Sequence, residues 1–258
     1  MGIKGAIFGD IIGSKYEFTG CPNPKTCKLL DNTHFFTDDT IMACAVKWAL
    51  DNAVPFDNAY KVFTQYYKYY PKAGWGANFM NWAFHNGAGH RQSLGNGSAM
   101  RVGYISDFCN NIDDVFYYAD SSATPTHNTE EGRTGAVAVA KIAYTAQFTD
   151  SKDKLLEIAR KYYGSDVDKT LDEYKHSYRW SEICKDSVPL AFRCFYEAED
   201  FESCIRNVLS IYCDSDTICA IAGNIAESFW PNDKFFDEHK LEDYLDSFLL
   251  FVLDEENV

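Results

Sequence analysis

The sequence predicts an all-α protein, and three observations carry this prediction. Apolar residues recur at helical spacing in successive segments, sustained period-two alternation is absent, and 46% of the 258 residues are hydrophobic. A chain of this length and composition can bury one large core. We therefore expect one compact domain spanning residues 1–258.

The helical pattern opens with the run GAIFGDIIGSKYEF, which starts at Gly5. Further helices are predicted, in chain order, at 38–50, 57–70, 113–122, 131–147, 152–163, 187–198, 200–211 and 216–229. A last helix would carry its apolar face on Leu241, Tyr244, Leu245, Phe248, Leu249 and Val252.

Two stretches interrupt this pattern: residues 18–36, which contain Pro22 and Pro24, and the glycine-rich residues 71–103. Long loops within a compact helical domain often carry function, so the second stretch is where we expect ligand contact. The alternative is an irregular connection without a role.

Charge and cysteine usage exclude several classes of protein. A formal net charge of −14 without a Lys/Arg run disfavours polymeric nucleic acid as a partner, and no apolar run reaches the length of a membrane span. Nine cysteines without a C-x-x-C pair indicate reduced thiols packed as small hydrophobic groups. Asp10 interrupts the N-terminal apolar stretch too early for a signal peptide, so we expect a cytoplasmic protein. We also expect a monomer.

The most informative feature is a near-repeat, DTIMACA from Asp39 and DTICAIA from Asp216, each preceded by a further acid, Asp38 or Asp214. Taken alone, either copy is a good helix start, with acids in the first turn favoured by the helix dipole. If the fold brings both starts together, however, four carboxylates share one small volume. Such a cluster requires a cation, and ligands that are all oxygen select hard ions such as Mg²⁺, Mn²⁺ or Ca²⁺.

The N-terminal run supplies a third acidic element. Its glycines Gly5, Gly9 and Gly13 lie four residues apart, a spacing that permits close packing of another backbone. If this helix continues, Asp10 and Glu17 lie two turns apart on one side. The alternative is a carboxylate pair that is simply solvated.

Two short motifs complete the set. The run Gly95-Asn96-Gly97-Ser98 could cradle an anion with its backbone N–H groups. Thr126-His127-Asn128 precedes a helix that begins near Glu130, where the histidine could serve as a ligand contact or simply as a cap or packing residue.

In this order, the elements resemble the ADP-ribosylglycohydrolase family from Gly5 to about Pro231. GAIFGDIIGSKYEF resembles the opening helix, FTDDT and DSDT the two metal motifs, KAGWG and LGNGSAMRVG the substrate loops, THNTEEG the histidine-containing helix start, and SYRWSEICKDSVP a stretch typical of short microbial members. The resemblance implies a compact orthogonal helical bundle.

The resemblance also implies roles for individual residues. Two Mg²⁺ or Mn²⁺ ions would be held by Thr37, Asp38, Asp39, Asp214, Asp216 and Thr217. The catalytic set would be Glu17, Asp38, Asp39 and Asp216, with Glu17 beside the scissile bond. ADP-ribose would be bound by Gly74, Gly76, Ser93, Gly95, Asn96, Gly97, Ser98 and His127. Tyr212-Cys213 replaces a glycine pair common in the family, and Leu94 replaces an aromatic residue that stacks on adenine in some relatives.

The implied reaction is hydrolysis of the N- or O-glycosidic bond between ADP-ribose and an acceptor, through an oxocarbenium-like transition state. The acceptor stays open among arginine, serine, a nucleic-acid end and a small molecule. Two alternatives are a non-catalytic ADP-ribose-binding or crystallin-like protein on the same fold, and a metal-dependent pyrophosphohydrolase that releases AMP.

Overall fold

The structure, a computed structural model, describes residues 2–89 and 91–254, with Asp57 described through its backbone alone. This part of the chain is all-α, as predicted. It contains fourteen α-helices, and its only bridges of β type are two isolated pairs, Gln92 with His127 and Gly95 with Ile183. None of its helices is long and apolar enough to cross a membrane.

The helices are α1 (Gly2–Ser14), α2 (Asp38–Asp51), α3 (Phe56–Tyr69), α4 (Ala77–Phe84), α5 (Ile105–Phe108), α6 (Ile112–Ala123), α7 (Glu130–Ala146), α8 (Lys152–Tyr163), α9 (Leu171–Ser177), α10 (Cys184–Tyr196), α11 (Phe201–Leu209), α12 (Ser215–Phe229), α13 (Lys234–Glu238) and α14 (Ser247–Leu253). The helices predicted between residues 38 and 229 are all present. Four shorter ones, α4, α5, α9 and α13, were not predicted, and α4 lies within the glycine-rich stretch.

Two predicted helices differ from the structure. The first ends at Ser14, and residues 15–19 form turns in which the N–H of Tyr16 donates to Gly13 O, so Glu17 does not share a helix face with Asp10. The C-terminal pattern is not one helix. It is divided into a short 3₁₀ turn and α14, because the Asp246 side chain accepts from two backbone N–H groups and starts a new helix there.

Helix α1 is buried on nearly every side, and it packs backbone to backbone against α12. A Cβ atom added at Gly5, Gly9 or Gly13 would lie 2.2, 2.1 or 2.2 Å from a carbonyl oxygen of α12. The glycine spacing therefore has the packing role predicted for it. This close approach brings Asp10, in the middle of α1, to the start of α12.

All nine cysteines are free thiols. Seven are buried, and Cys21 and Cys27 are half-buried. The prediction of reduced thiols packed as small hydrophobic groups is confirmed for the buried seven.

Candidate metal centre and ligand loop

The two acidic motifs meet where helices α2 and α12 begin. Thr37 is the N-cap of α2, and its Oγ1 accepts from the N–H of Asp39. The hydroxyl of Thr217, in the first turn of α12, lies 3.3 Å from Asp39 Oδ2, and Thr37 Oγ1 lies at the same distance from that oxygen. The tertiary structure thus joins motifs that are far apart in the sequence.

Asp10 holds the start of α2 in place. Its carboxylate, which is fully buried, accepts hydrogen bonds from the backbone N–H and the hydroxyl of both Thr37 and Thr40. Asp10 was not in the predicted ligand set. The signal that could have identified it is a single charged residue inside an otherwise apolar helix, which is costly to bury without partners.

Two groups of three carboxylates share Asp216. In one group, oxygens of Asp10, Asp39 and Asp216 lie within 4.8 Å of one another, and in the other group the same holds for Glu17, Asp214 and Asp216. Glu17 reaches this cluster from the turn after α1. Asp38 belongs to neither group, although its charge contributes to the raised pKa of Asp39.

Burial and mutual repulsion disfavour the ionised forms of these carboxyls. Burial, followed by repulsion from Asp216, raises the pKa of Asp38 and Asp39 well above the ordinary value, and burial followed by repulsion from Asp214 does the same to Asp216. The pKa of Asp214 rises to about 7 and that of the half-buried Glu17 to about 8, in both cases mainly through burial. Near neutral pH the cluster therefore takes up protons or a cation.

The residues present fit a hard divalent cation. Asp39 Oδ1 is buried and has no hydrogen-bond partner among the described residues, which leaves a carboxylate oxygen available for coordination. The surrounding donors are carboxylates and threonine hydroxyls, an oxygen set that suits Mg²⁺ or Mn²⁺.

The Gly95–Ser98 run is tied to this cluster through Asn96. The Asn96 Nδ2 donates to Asp214 Oδ2 over 2.7 Å, and its backbone N–H donates to Glu182 O. The N–H of Gly95 donates to Ser93 Oγ, and the Ser98 hydroxyl donates to Gly132 O. Two N–H groups of the predicted anion cradle are therefore engaged within the protein, and the Asn96 side chain orients an acid of the cluster.

His127 packs against this loop. A Cβ added at Gly97 would lie 3.2 Å from His127 Nε2, and one at Gly95 would lie 3.5 Å from it, so both glycines leave room for the ring. The N-cap of α7 is Thr129 and not His127. The Thr129 hydroxyl accepts from the Gly132 N–H. Burial, with smaller contributions from the charges of Arg101 and Arg91, holds the pKa of His127 well below its usual range.

The remaining predicted residues lie around the cluster. Gly74 has a φ of +90°, which favours glycine, and a Cβ there would lie 3.4 Å from Asp38 Oδ1. Gly76 precedes α4 and faces open space. Leu94 and Tyr212, the two departures from the family pattern, are exposed, whereas Cys213 is buried.

The chain is similar to known proteins of one family. A family model described as ADP-ribosylglycohydrolase matches residues 2–227. The chain is 27% identical over 316 residues to ADP-ribosylhydrolase ARH3 of Homo sapiens, covering 90% of this chain and 85% of that protein. It is 27% identical over 307 residues to the Mus musculus protein of the same name, covering 88% and 82%. A solved structure, an ADP-ribosylglycohydrolase-related protein complex, has a TM-score of 0.71 at 19% identity, covering 88% of this chain and 85% of that one, and shares the fold.

Proposed function

The chain belongs to the ADP-ribosylglycohydrolase family, and we propose that it hydrolyses, with divalent cations, the glycosidic bond that links ADP-ribose to a modified acceptor. The observation that carries the metal dependence is the pair of carboxylate groups sharing Asp216. Asp216, the common member, would be shared by two ions, and we assign two Mg²⁺ or Mn²⁺ ions to this cluster. Of the five acids in the two groups, Asp10 is engaged by Thr37 and Thr40 and Glu17 is assigned to the substrate, so the carboxylate ligands taken from these groups are Asp39, Asp214 and Asp216.

The ligand assignment follows the two helix starts. Asp39, Asp214 and Asp216 offer carboxylate oxygens, and Thr37 and Thr217 offer hydroxyl oxygens beside Asp39. Asp38, whose carboxyl interacts electrostatically with Asp216, Asp10 and Glu17, would supply a further carboxylate ligand. When bound, the ions would orient the ribose hydroxyls and lower the pKa of a bound water.

The other residues bind and orient the substrate. Glu17 is half-buried beside the cluster, whereas Asp214 and Asp216 are buried, so its carboxyl can orient the ribose or move a proton at the scissile bond. The loop from Ser93 to Ser98, together with Gly74, Gly76 and His127, binds the diphosphate and riboses. The negative net charge of the protein makes the ions the main cationic element for this substrate.

We further propose that the protein acts as a single-domain monomer in the cytoplasm, on an ADP-ribosylated protein side chain or small molecule and not on polymeric nucleic acid. The two relatives named above are ADP-ribosylhydrolases, which supports removal of ADP-ribose as the reaction class.

The decisive experiment is incubation with a panel of defined substrates: peptides ADP-ribosylated on arginine or on serine, a nucleic-acid end and O-acetyl-ADP-ribose, each with Mg²⁺, with Mn²⁺ and with EDTA. Release of free ADP-ribose that requires the cation supports the proposal. Release of AMP, with phosphoribose left on the acceptor, would indicate a pyrophosphohydrolase. Binding of ADP-ribose without turnover of any substrate would indicate a non-catalytic protein.

A further inference from the structure

Arg101 is a buried cation without a carboxylate partner. Its side chain is 1% exposed, its guanidinium lies over the Phe63 ring, and no ion pair to it is found in the described part of the chain. A buried charge without a counter-ion is costly, and such groups are retained where they serve a purpose. Arg101 belongs to the same LGNGSAMRVG run as the ligand loop, but the proposed function gives it no role.

Its hydrogen bonds lead to His127. Arg101 Nη2 donates to Ser122 O and, over 2.9 Å, to Thr126 Oγ1. Thr126 Oγ1 in turn lies 2.8 Å from His127 Nδ1. Thr126 is 2% exposed, and these two side chains are its hydroxyl's only partners in the described part of the chain.

The direction of the hydrogen bond between Thr126 and His127 follows from the hydrogen bond between Arg101 and Thr126. A guanidinium has donors only, so Thr126 Oγ1 must accept from Arg101. The hydroxyl has one proton to donate, and His127 Nδ1 is its only possible acceptor among the described residues, because Arg101 accepts nothing. A protonated Nδ1 would leave that buried proton unpaired, so Nδ1 accepts. A ring that accepts at Nδ1 carries its proton on Nε2.

The other side of the ring faces the ligand loop. His127 Nε2 has no hydrogen-bond partner among the residues described, and a Cβ added at Gly95 or Gly97 would lie 3.5 or 3.2 Å from it. An Nε2–H group is therefore an unused donor beside the loop where the proposed substrate binds.

We propose that Arg101 and Thr126 are positioning residues that hold neutral His127 in the Nε2–H tautomer, so that this group donates to an oxygen of the substrate. The identity of the substrate in this proposal rests on the proposed function. The tautomer of His127 does not depend on that function. Depression of the His127 pKa by burial agrees with a neutral ring.

The tautomer can be measured without any ligand. In long-range ¹⁵N–¹H spectra of the histidine-labelled protein, with His127 assigned from the His127→Gln variant, we expect a protonated Nε2 and an unprotonated Nδ1. Thr126→Val, which removes the hydroxyl at nearly constant volume, should introduce the Nδ1–H form, whereas Thr126→Ser should keep the wild-type spectrum. Thr124→Val is the matched control, because among the described residues the Thr124 hydroxyl bonds only to the Asp120 carbonyl.

The functional consequence is measured as ADP-ribose affinity in the presence of Mg²⁺. Loss of one hydrogen bond of about 1–1.5 kcal/mol corresponds to a rise in Kd of roughly tenfold for Thr126→Val, with Thr126→Ser and Thr124→Val within about twofold of wild type. The rise in Tm on adding Mg²⁺ should be unchanged in all three, because the metal cluster is untouched.

A protonated Nδ1 in the wild type would overturn the proposal, and this result does not depend on whether Thr126→Val folds. An unchanged tautomer and Kd in folded Thr126→Val would also overturn it. If the wild type shows the Nε2–H tautomer but binds no ADP-ribose, the proposed function fails together with the substrate-directed role, whereas the hydrogen-bonded arrangement stands.

Discussion

Thr217 Oγ1 lies 3.3 Å from Asp39 Oδ2, although the two residues are separated by 178 positions in the chain. This hydrogen bond joins the first turns of α2 and α12. It brings two helix starts into one site, although each of them alone would be an ordinary capped helix start.

Replacing a shared ligand should abolish turnover without unfolding the protein. We expect Asp216→Asn to lower kcat by more than about a hundredfold, a size typical for loss of a group that stabilises the transition state, because Asp216 belongs to both carboxylate groups. Asp38→Asn should also be severely impaired. Asp172→Asn, on the exposed face of α9, is the control and should be fully active. Activity near wild type in both site variants would disprove the ligand assignment.

Glu17→Gln should separate catalysis from metal binding. Glu17 lies in a turn and is only half-buried, whereas Asp214 and Asp216 are buried, so we expect kcat to fall strongly while the Kd for Mn²⁺, measured by calorimetry, changes little. If metal binding is lost while ADP-ribose still binds, Glu17 is a ligand and the role proposed for it is wrong.

Divalent cations should stabilise the folded protein. An ion that binds only the folded state at a hundredfold excess over its Kd contributes about 2.7 kcal/mol, and each kcal/mol raises the Tm of a domain of this size by roughly 2–4 °C. We expect Mg²⁺ or Mn²⁺ to raise the Tm by several degrees, EDTA to reverse the rise, and NaCl of equal ionic strength not to reproduce it. The double variant Asp39→Asn/Asp214→Asn should be more stable than wild type without ions and should not respond to Mg²⁺. A wild-type Tm indifferent to divalent ions after thorough chelation would argue decisively against a metal site.

The ion-free protein should lose stability as pH rises. The pKa values of Glu17 and Asp214 are raised to about 8 and about 7, so between about pH 4.5 and pH 8 the folded protein binds more protons than the unfolded chain. Their contribution to the free energy of unfolding is fully present below the pKa values that the two carboxyls have in the unfolded chain. It disappears as pH rises past their pKa values in the folded protein.

The double variant is the control for this pH dependence as well. The depressed pKa values of His34 and His127 give a slope of opposite sign, and both histidines are the same in the variant. In EDTA, the Tm of wild type relative to the double variant should therefore fall with pH, and saturating Mg²⁺ should remove that fall. A relative Tm that rises with pH in EDTA would contradict the raised pKa values.

Separating α1 from α12 should damage the site from a distance. A Cβ at Gly9 would lie 2.1 Å from Cys219 O, so Gly9→Ala must push the two helices apart, at a cost of at least about 1–3 kcal/mol. We expect a lower Tm and a weakened response to Mg²⁺, because Asp10 and Asp216 lie on these two helices. Gly76→Ala, where nothing lies within 4 Å of the added atom, should melt like wild type. An unchanged Tm in Gly9→Ala would show that the backbone contact is not rigid.

The sequence alone determined the eight longer helices between residues 38 and 229 and the two acidic motifs. Helical periodicity and capping are local properties, and they are read within a few residues, so the helices between residues 38 and 229 were predicted close to their observed bounds. The recurrence of the DT motif and the four-residue spacing of Gly5, Gly9 and Gly13 were also visible without a structure.

Only the tertiary structure decided which acids meet. Glu17 reaches the cluster from a turn that periodicity did not predict, and Asp10 enters it because α1 packs against α12 without intervening side chains. The hydrogen bonds from Arg101 through Thr126 to His127 likewise join separate segments. Distances across a fold depend on how helices pack, and that packing is set by the whole core together and not by any one segment of the sequence.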